Sequence, residues 1–194
     1  MIASEISIGS FSDHPFPYFV ARKGLTNEAG TLLLDWFEDE APWNLVEAEF
    51  YEQYEFDLRG LSLPESVKPI CEWQNLLQVK SFVESTFNVQ LTDRIDLTAH
   101  KLLPGQKIRV HNDFIPGAET HRVLIQLNRG WSDENGGLLM FFNSEEASDI
   151  HRAFRPLHNS CVAFEISTRS LHAVSTIHAS ERYTLVYSFY ASQQ

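Results

Sequence analysis

From about residue 90 onward the chain is a succession of short β-type runs punctuated by Pro, Gly and Asn, and this texture limits the fold more than any other feature. The runs cover 95–103, 107–113, 122–127, 138–142, 160–165, 171–174 and 183–190, with Pro104-Gly105 and Asn135-Gly136-Gly137 as turn signals between them. Strands this short bury little on their own, so they must pair into facing sheets: a sandwich, a barrel or a jelly roll. The preceding part reads differently. Residues 27–38 carry Leu32, Leu33, Trp36 and Phe37 at helical spacing, with Thr26 or Asn27 as N-cap. Residues 64–87 read as a second helix, interrupted at Pro69, with Trp73, Leu76, Leu77, Val79, Phe82 and Val83 on one broad apolar face. A short strand is predicted over 16–20 and an extended hairpin or flap over 45–58. Helices first and strands second give an α+β chain with a β core. The expectation is one domain over 1–194, with 1–90 as helical and strand support and 91–194 as the β core that carries the site.

Composition narrows the class. With 194 residues, 43% of them hydrophobic, the chain is long enough and apolar enough to bury a substantial core. Its formal net charge of -11 repels phosphate backbones, so no nucleic-acid partner is expected. Cys71 and Cys161 lie too far apart for a metal-binding pair and read as reduced, buried thiols. The longest apolar run, 138–142, is far too short to span a bilayer, and the opening MIASE has no basic stretch leading into an apolar one. A cytoplasmic protein without a membrane partner is the expectation.

Within the β half stand His111-Asn112-Asp113, His172 and Arg182. Alternate residues of a strand share a face, so His111 and Asp113 project together if 107–113 is extended. Two imidazoles and one carboxylate form the ligand set of a non-haem Fe(II) oxygenase site with open coordination positions. Arg182 offers a fork for a carboxylate co-substrate, and Thr184 shares its face. Gln126 shares a face with Leu124 and Asn128 and can add a hydrogen bond. Each residue also has a plainer reading. An H-x-D spacing alone is a common accident, a lone His is ordinarily structural, and Arg182 can pair with Glu181. The joint pattern, with Gly136-Gly137 ahead of an apolar strand, carries the site reading. Three further residues are candidates for substrate contact. Arg122 lies on the face of Gln126, at the site's mouth or in a structural ion pair. Trp131 follows the same strand and otherwise packs. Tyr54 belongs to the acidic, aromatic stretch 47–57, a flap for a cationic or peptide substrate or simply a solvated hairpin. His121, His158 and His178 have no ligand spacing.

Taken together, 104–106 through 111–113, then 122–128, 136–139, 172–174 and 181–184 resemble the prolyl-4-hydroxylase branch of the Fe(II)/2-oxoglutarate-dependent oxygenases, over roughly residues 95–190. The resemblance implies a double-stranded β-helix (jelly-roll) core with the N-terminal helices packed on its major sheet. It implies Fe(II), 2-oxoglutarate and O2, with His111, Asp113 and His172 as iron ligands and Arg182 as co-substrate anchor. The reaction it implies is hydroxylation of an amino-acid side chain, in a peptide, a protein or a free amino acid, with release of succinate and CO2. Two departures stand out: Leu102 and Leu103 where many members carry a tyrosine, and Gln126 where some carry another. Two alternatives stay open, a non-catalytic jelly-roll module that binds a metal or small acid, and the same chemistry ending in desaturation or cyclisation. The retained carboxylate of Asp113 favours hydroxylation over halogenation.

Overall fold

The computed structural model describes Ile6 and residues 8–192. Its elements are β1 (Gly9–Ser12), β2 (Tyr18–Ala21), α1 (Asn27–Asp39), β3 (Asn44–Glu47), β4 (Glu52–Asp57), α2 (Trp73–Phe87), β5 (Leu91–Leu102), β6 (Ile108–His111), β7 (His121–Gln126), β8 (Leu139–Phe142), β9 (Ile150–Phe154), β10 (Cys161–Glu165), β11 (His172–Val174) and β12 (Arg182–Ala191). From β5 onward the strands pair as a nested ribbon, β5 with β12, β6 with β11, β7 with β10 and β8 with β9, each pair antiparallel. The chain runs out along β5 to β8 and returns along β9 to β12. Successive pairs of this ribbon fall into opposite sheets. The larger sheet has the order β1-β2-β10-β7-β12-β5-β4-β3 and the smaller β6-β11-β8-β9. This is the double-stranded β-helix.

The period of two sorts the side chains into two cores. Along β12, Tyr183, Leu185, Tyr187 and Phe189 face outward and pack with Leu33, Leu34 and Phe37 of α1 and Leu76, Val79 and Val83 of α2. The helices therefore cover the outer face of the major sheet. Val186, Leu124, Val162 and Phe164 face inward, against Leu139 and Phe141 of the smaller sheet. Thr26 caps α1 by accepting the Ala29 N–H. No helix of the described residues is long and apolar enough to cross a membrane.

Several expectations shift. The second helix begins at Trp73 rather than residue 64, because residues 68–71 form a 3₁₀ turn whose Pro69 carbonyl accepts from Asn75 Nδ2 at 2.7 Å. Trp73 is consequently exposed instead of lying on the apolar face. Residues 45–58 do form a hairpin, but β4 pairs with β5 and extends the major sheet, so it is not a free flap. Strands β1 and β9 have no clear apolar alternation, and their exposed residues explain why pattern reading passes over them. Cys161 is buried in the outer core, whereas Cys71 is only half-buried.

Asn159 ties the segment before α1 to the β core. It is buried, in left-handed backbone (φ 63°), and its Oδ1 accepts the N–H groups of Gly24 (3.3 Å) and Leu25 (2.8 Å) while Nδ2 donates to the Leu25 carbonyl at 2.7 Å. Removing one side of such a buried network leaves its partners unpaired. Asn159→Ala is expected to lower stability by about 3 kcal/mol in chemical denaturation. A loss below a few tenths would show that these bonds do not tie the N-terminal layer down.

Candidate active site

A cavity of about 350 Å³ opens between the two sheets. His111 ends β6 and His172 begins β11, and the two are register partners, so nested pairing alone brings their rings to 4.2 Å between centroids. Asp113 arrives by another route than the expected alternation. The strand stops at His111, and Asp113 takes a left-handed turn (φ 57°) that returns its carboxylate to the histidines. Its Oδ1 lies 3.3 Å from His111 Nε2 and its Oδ2 lies 3.1 Å from His172 Nε2. Asn112 and Ser170 hold this turn: Asn112 Oδ1 accepts the Phe114 N–H at 3.0 Å, and Ser170 Oγ donates to the Asn112 carbonyl at 2.8 Å.

Both rings are oriented in the same way. His111 Nδ1 donates to the Arg109 carbonyl at 2.8 Å and His172 Nδ1 to the Ser170 carbonyl at 2.7 Å, which leaves each Nε2 lone pair directed at the shared space. Phe50 stacks on His111 at 4.4 Å. Burial lowers the His172 pKa and keeps the ring neutral, as a metal ligand must be. Burial by itself would raise the Asp113 carboxyl, but the Arg122 guanidinium beside it works against burial, and the group is held well below the usual carboxylate range. One ligand atom from each of His111, Asp113 and His172 fits within 4.8 Å of the others, so the trio could hold one divalent ion with positions left open.

Deeper in the cavity is a guanidinium with no counter-charge. Arg182 is 3% exposed; its Nε donates to the Gly137 carbonyl at 3.0 Å, its Nη1 to Thr184 Oγ1 at 2.9 Å, and its Nη2 to nothing. Thr184 Oγ1 in turn donates to Gln126 Oε1 at 3.0 Å, and Gln126 Nε2 is also without a partner. Two buried donors thus flank the Thr184 hydroxyl. Burial without compensation pulls the Arg182 pKa down to about 10. Gly137 (φ 65°) makes the approach possible, since a Cβ there would come within 3.0 Å of Arg182 Cδ and Trp131. An anion is the chemical complement of this end.

The structure separates the remaining candidates. Arg122 lines the cavity and is ion-paired with both Asp113 and Glu119, so its two expected readings coincide. Trp131 is not at the cavity; its indole N–H donates to the Gly136 carbonyl at 2.9 Å, and the ring packs in the inter-sheet core. Tyr54 is not there either. Alternation along β4 turns Gln53 and Glu55 inward, while Tyr54 lies under the Lys101 ammonium at 5.1 Å. Sequence reading missed His100, the cross-strand partner of Thr184 on the inward face of β5, 3.2 Å from Thr98 Oγ1. Its only signal was its period-two spacing from Thr98.

Burial holds His100 neutral, with its pKa pulled down to about 3 from an ordinary 6.5. The unfolded chain takes up a proton near 6.5, the folded chain only near 3, so this share of stability is complete above pH 6.5 and is lost as pH falls from there toward 3. His121, lowered to about 4 by burial, acts in the same direction. Thermal melts at pH 7.5 and 5 should differ by about 1–2 kcal/mol for His100, and His100→Gln should shrink that difference. An unchanged pH dependence in the variant would exclude a neutral buried His100.

Residues 97–190 match the family model described as the 2OG-Fe(II) oxygenase superfamily, a span from β5 to β12 that contains His111, Asp113, His172 and Arg182. Among solved structures, a Pseudomonas putida prolyl-4-hydroxylase superposes with TM-score 0.72 at 17% identity, covering 98% of this chain and 97% of that one. A prolyl hydroxylase from Trichoplax adhaerens, in complex with a hypoxia inducible factor peptide fragment, gives 0.64 at 15% over 84% of this chain and 76% of that one. A viral collagen prolyl hydroxylase from Paramecium Bursaria Chlorella virus-1, as a 2OG complex, gives 0.61 at 15% over 87% and 92%. At these identities the likeness is one of fold. Residues 97–190 thus carry a 2OG-Fe(II) oxygenase domain, of a superfamily that works with Fe(II), 2-oxoglutarate and O2.

Proposed function

We propose that the cavity between the sheets is the active site and that the enzyme hydroxylates an amino-acid side chain presented in a peptide or protein. His111, Asp113 and His172 hold Fe(II) through their converging atoms, and the carbonyls of Arg109 and Ser170 keep the rings in the required tautomer. Arg122 restrains the Asp113 carboxylate from the side. Arg182 Nη2 and Gln126 Nε2, with the Thr184 hydroxyl between them, receive the distal carboxylate of 2-oxoglutarate. Leu124, Leu139, Val174 and Val186 line the same cavity and give it an apolar wall beside the polar groups. Bound together, iron, 2-oxoglutarate and O2 supply oxygen for insertion into a C–H bond, with succinate and CO2 as co-products. The observation that carries this reading is Arg182, a fully enclosed guanidinium with a free donor and no carboxylate of its own.

A peptide substrate is supported by a groove that adjoins the cavity at His111 and Asp113, where Phe50, Phe114, Ile115 and Leu171 offer an apolar bed. Phe114 and Ile115 are exposed. The Trichoplax neighbour is named for its peptide complex, which fits the same arrangement.

Anaerobic addition of Fe(II) and then 2-oxoglutarate should give a visible metal-to-ligand charge-transfer band. Asp113→Ala should abolish it, and Arg182→Ala should weaken 2-oxoglutarate binding by about 100-fold, the loss of the guanidinium charge and its free Nη2 donor. A folded, iron-loaded protein without the band would sink the proposal. In turnover, a product heavier by one oxygen identifies hydroxylation; a product lighter by two hydrogens identifies desaturation or cyclisation.

A further inference from the structure

The loop that brings Asp113 to the histidines also presents two large apolar side chains to water. Asn112 opens it: its Oδ1 accepts the Phe114 N–H at 3.0 Å and its Nδ2 donates to the Thr168 carbonyl at 3.3 Å. Pro116 and Gly117 close it, with Gly117 at φ 78° and the Ala118 N–H donating to the Ile115 carbonyl at 3.0 Å, the pattern of a type II turn. Proline fixes one dihedral of that turn and glycine meets its positive φ, so the loop has little freedom to fold its side chains away. Phe114 is left 43% exposed and Ile115 66% exposed.

A single exposed apolar side chain is ordinary, but these two are not scattered. They share one groove with Phe50, Val110 and Leu171, all half-buried. That groove continues from the catalytic cavity, because Phe50, His111 and Asp113 line both. Apolar surface gathered in this way marks a binding site. Beyond the proposed metal ligands, the charged side chains of the groove are Glu119, already paired with Arg122, and the exposed Glu145. Neither offers a partner to an acidic side chain, so the groove suits an apolar one. An extended peptide advances about 3.3 Å per residue. With one residue at the metal, the side chain that reaches a groove bordered by the metal ligands belongs to the next residue or the one after it.

We infer that the enzyme selects its substrate by a large apolar residue one or two positions from the residue it oxidises, seated on Phe114 and Ile115. The inference rests on the active-site reading of the preceding subsection. It is tested by calorimetric titration of the protein loaded with Zn(II) and 2-oxoglutarate, which does not turn over. The probes are capped pentapeptides of glycine with proline or norvaline at the centre, side chains that suit the apolar wall of the cavity. One leucine, serine or aspartate is moved through the four flanking positions. At one position or more, leucine should bind about tenfold more tightly than serine and aspartate no better than serine, and the leucine margin should persist as salt rises. Phe114→Ser and Ile115→Ser should each cut affinity for the best leucyl peptide about fivefold, while Phe114→Leu, which keeps the apolar surface, should retain most of it. Ile115 is too exposed to support the core, so its variant tests the contact without unfolding the protein. Leucine no better than serine at all four positions, no peptide binding up to the millimolar range, or serine variants that bind the leucyl peptide as tightly as the parent would overturn the inference. Self-association that both serine variants abolish would overturn it as well, by giving the groove to a second copy of this chain. The charge-transfer experiment separates the two failures. With the band present, a missing leucyl preference removes this inference alone; without the band, the active-site reading falls and takes this one with it.

Discussion

The structure depends on the pairing of a strand with its counterpart on the return path of one ribbon. When β5 takes β12, β6 takes β11, β7 takes β10 and β8 takes β9. That pairing is non-local, so it costs loop entropy before its hydrogen bonds and buried side chains compensate. It also decides which residues can cooperate. His111 and His172 become neighbours as cross-strand partners, and Arg182 comes to lie beside Leu102 at the far end of the β5–β12 pair.

Two arginines lining one cavity show how charge was arranged within that frame. Arg122 meets Asp113 and Glu119 and is compensated by its own chain. Arg182 meets a carbonyl and a hydroxyl, and nothing negative. The first is a structural arrangement that holds a turn in place. The second is a standing electrostatic cost that only a bound anion relieves, and it therefore marks a functional position.

Around this cavity the outer layer is built for rigidity. Both helices pack on the back of the major sheet, so the strands that carry Thr184, Gln126 and His100 are buried from behind as well as from within. The 45–58 hairpin adds two strands to the same sheet and sends Phe50 over His111, so a segment that could have been a mobile flap forms part of the wall. A site held this way keeps its donors aimed without rearrangement when a ligand arrives.

Residue chemistry and spacing made legible the α+β order, a β core of sandwich, barrel or jelly-roll type, the helix capped by Thr26, and the grouping of His111, Asp113, His172 and Arg182; the family resemblance then singled out the jelly roll. Those depend on local preferences and on motif spacing that survive in one dimension. Alternation also assigned Thr184 and Gln126 correctly to the Arg182 neighbourhood. Tertiary structure alone decided the rest. Asp113 reaches the histidines through a left-handed turn that no hydropathy pattern encodes. Whether β4 shows Tyr54 or its neighbours Gln53 and Glu55 to the cavity depends on a register that only pairing with β5 sets, and a shift of one residue exchanges the faces. Trp131 packs in the core, and His100, which sequence reading passed over, lines the cavity, for the same reason: burial against one sheet or the other is a property of the closed ribbon, not of the strand read by itself.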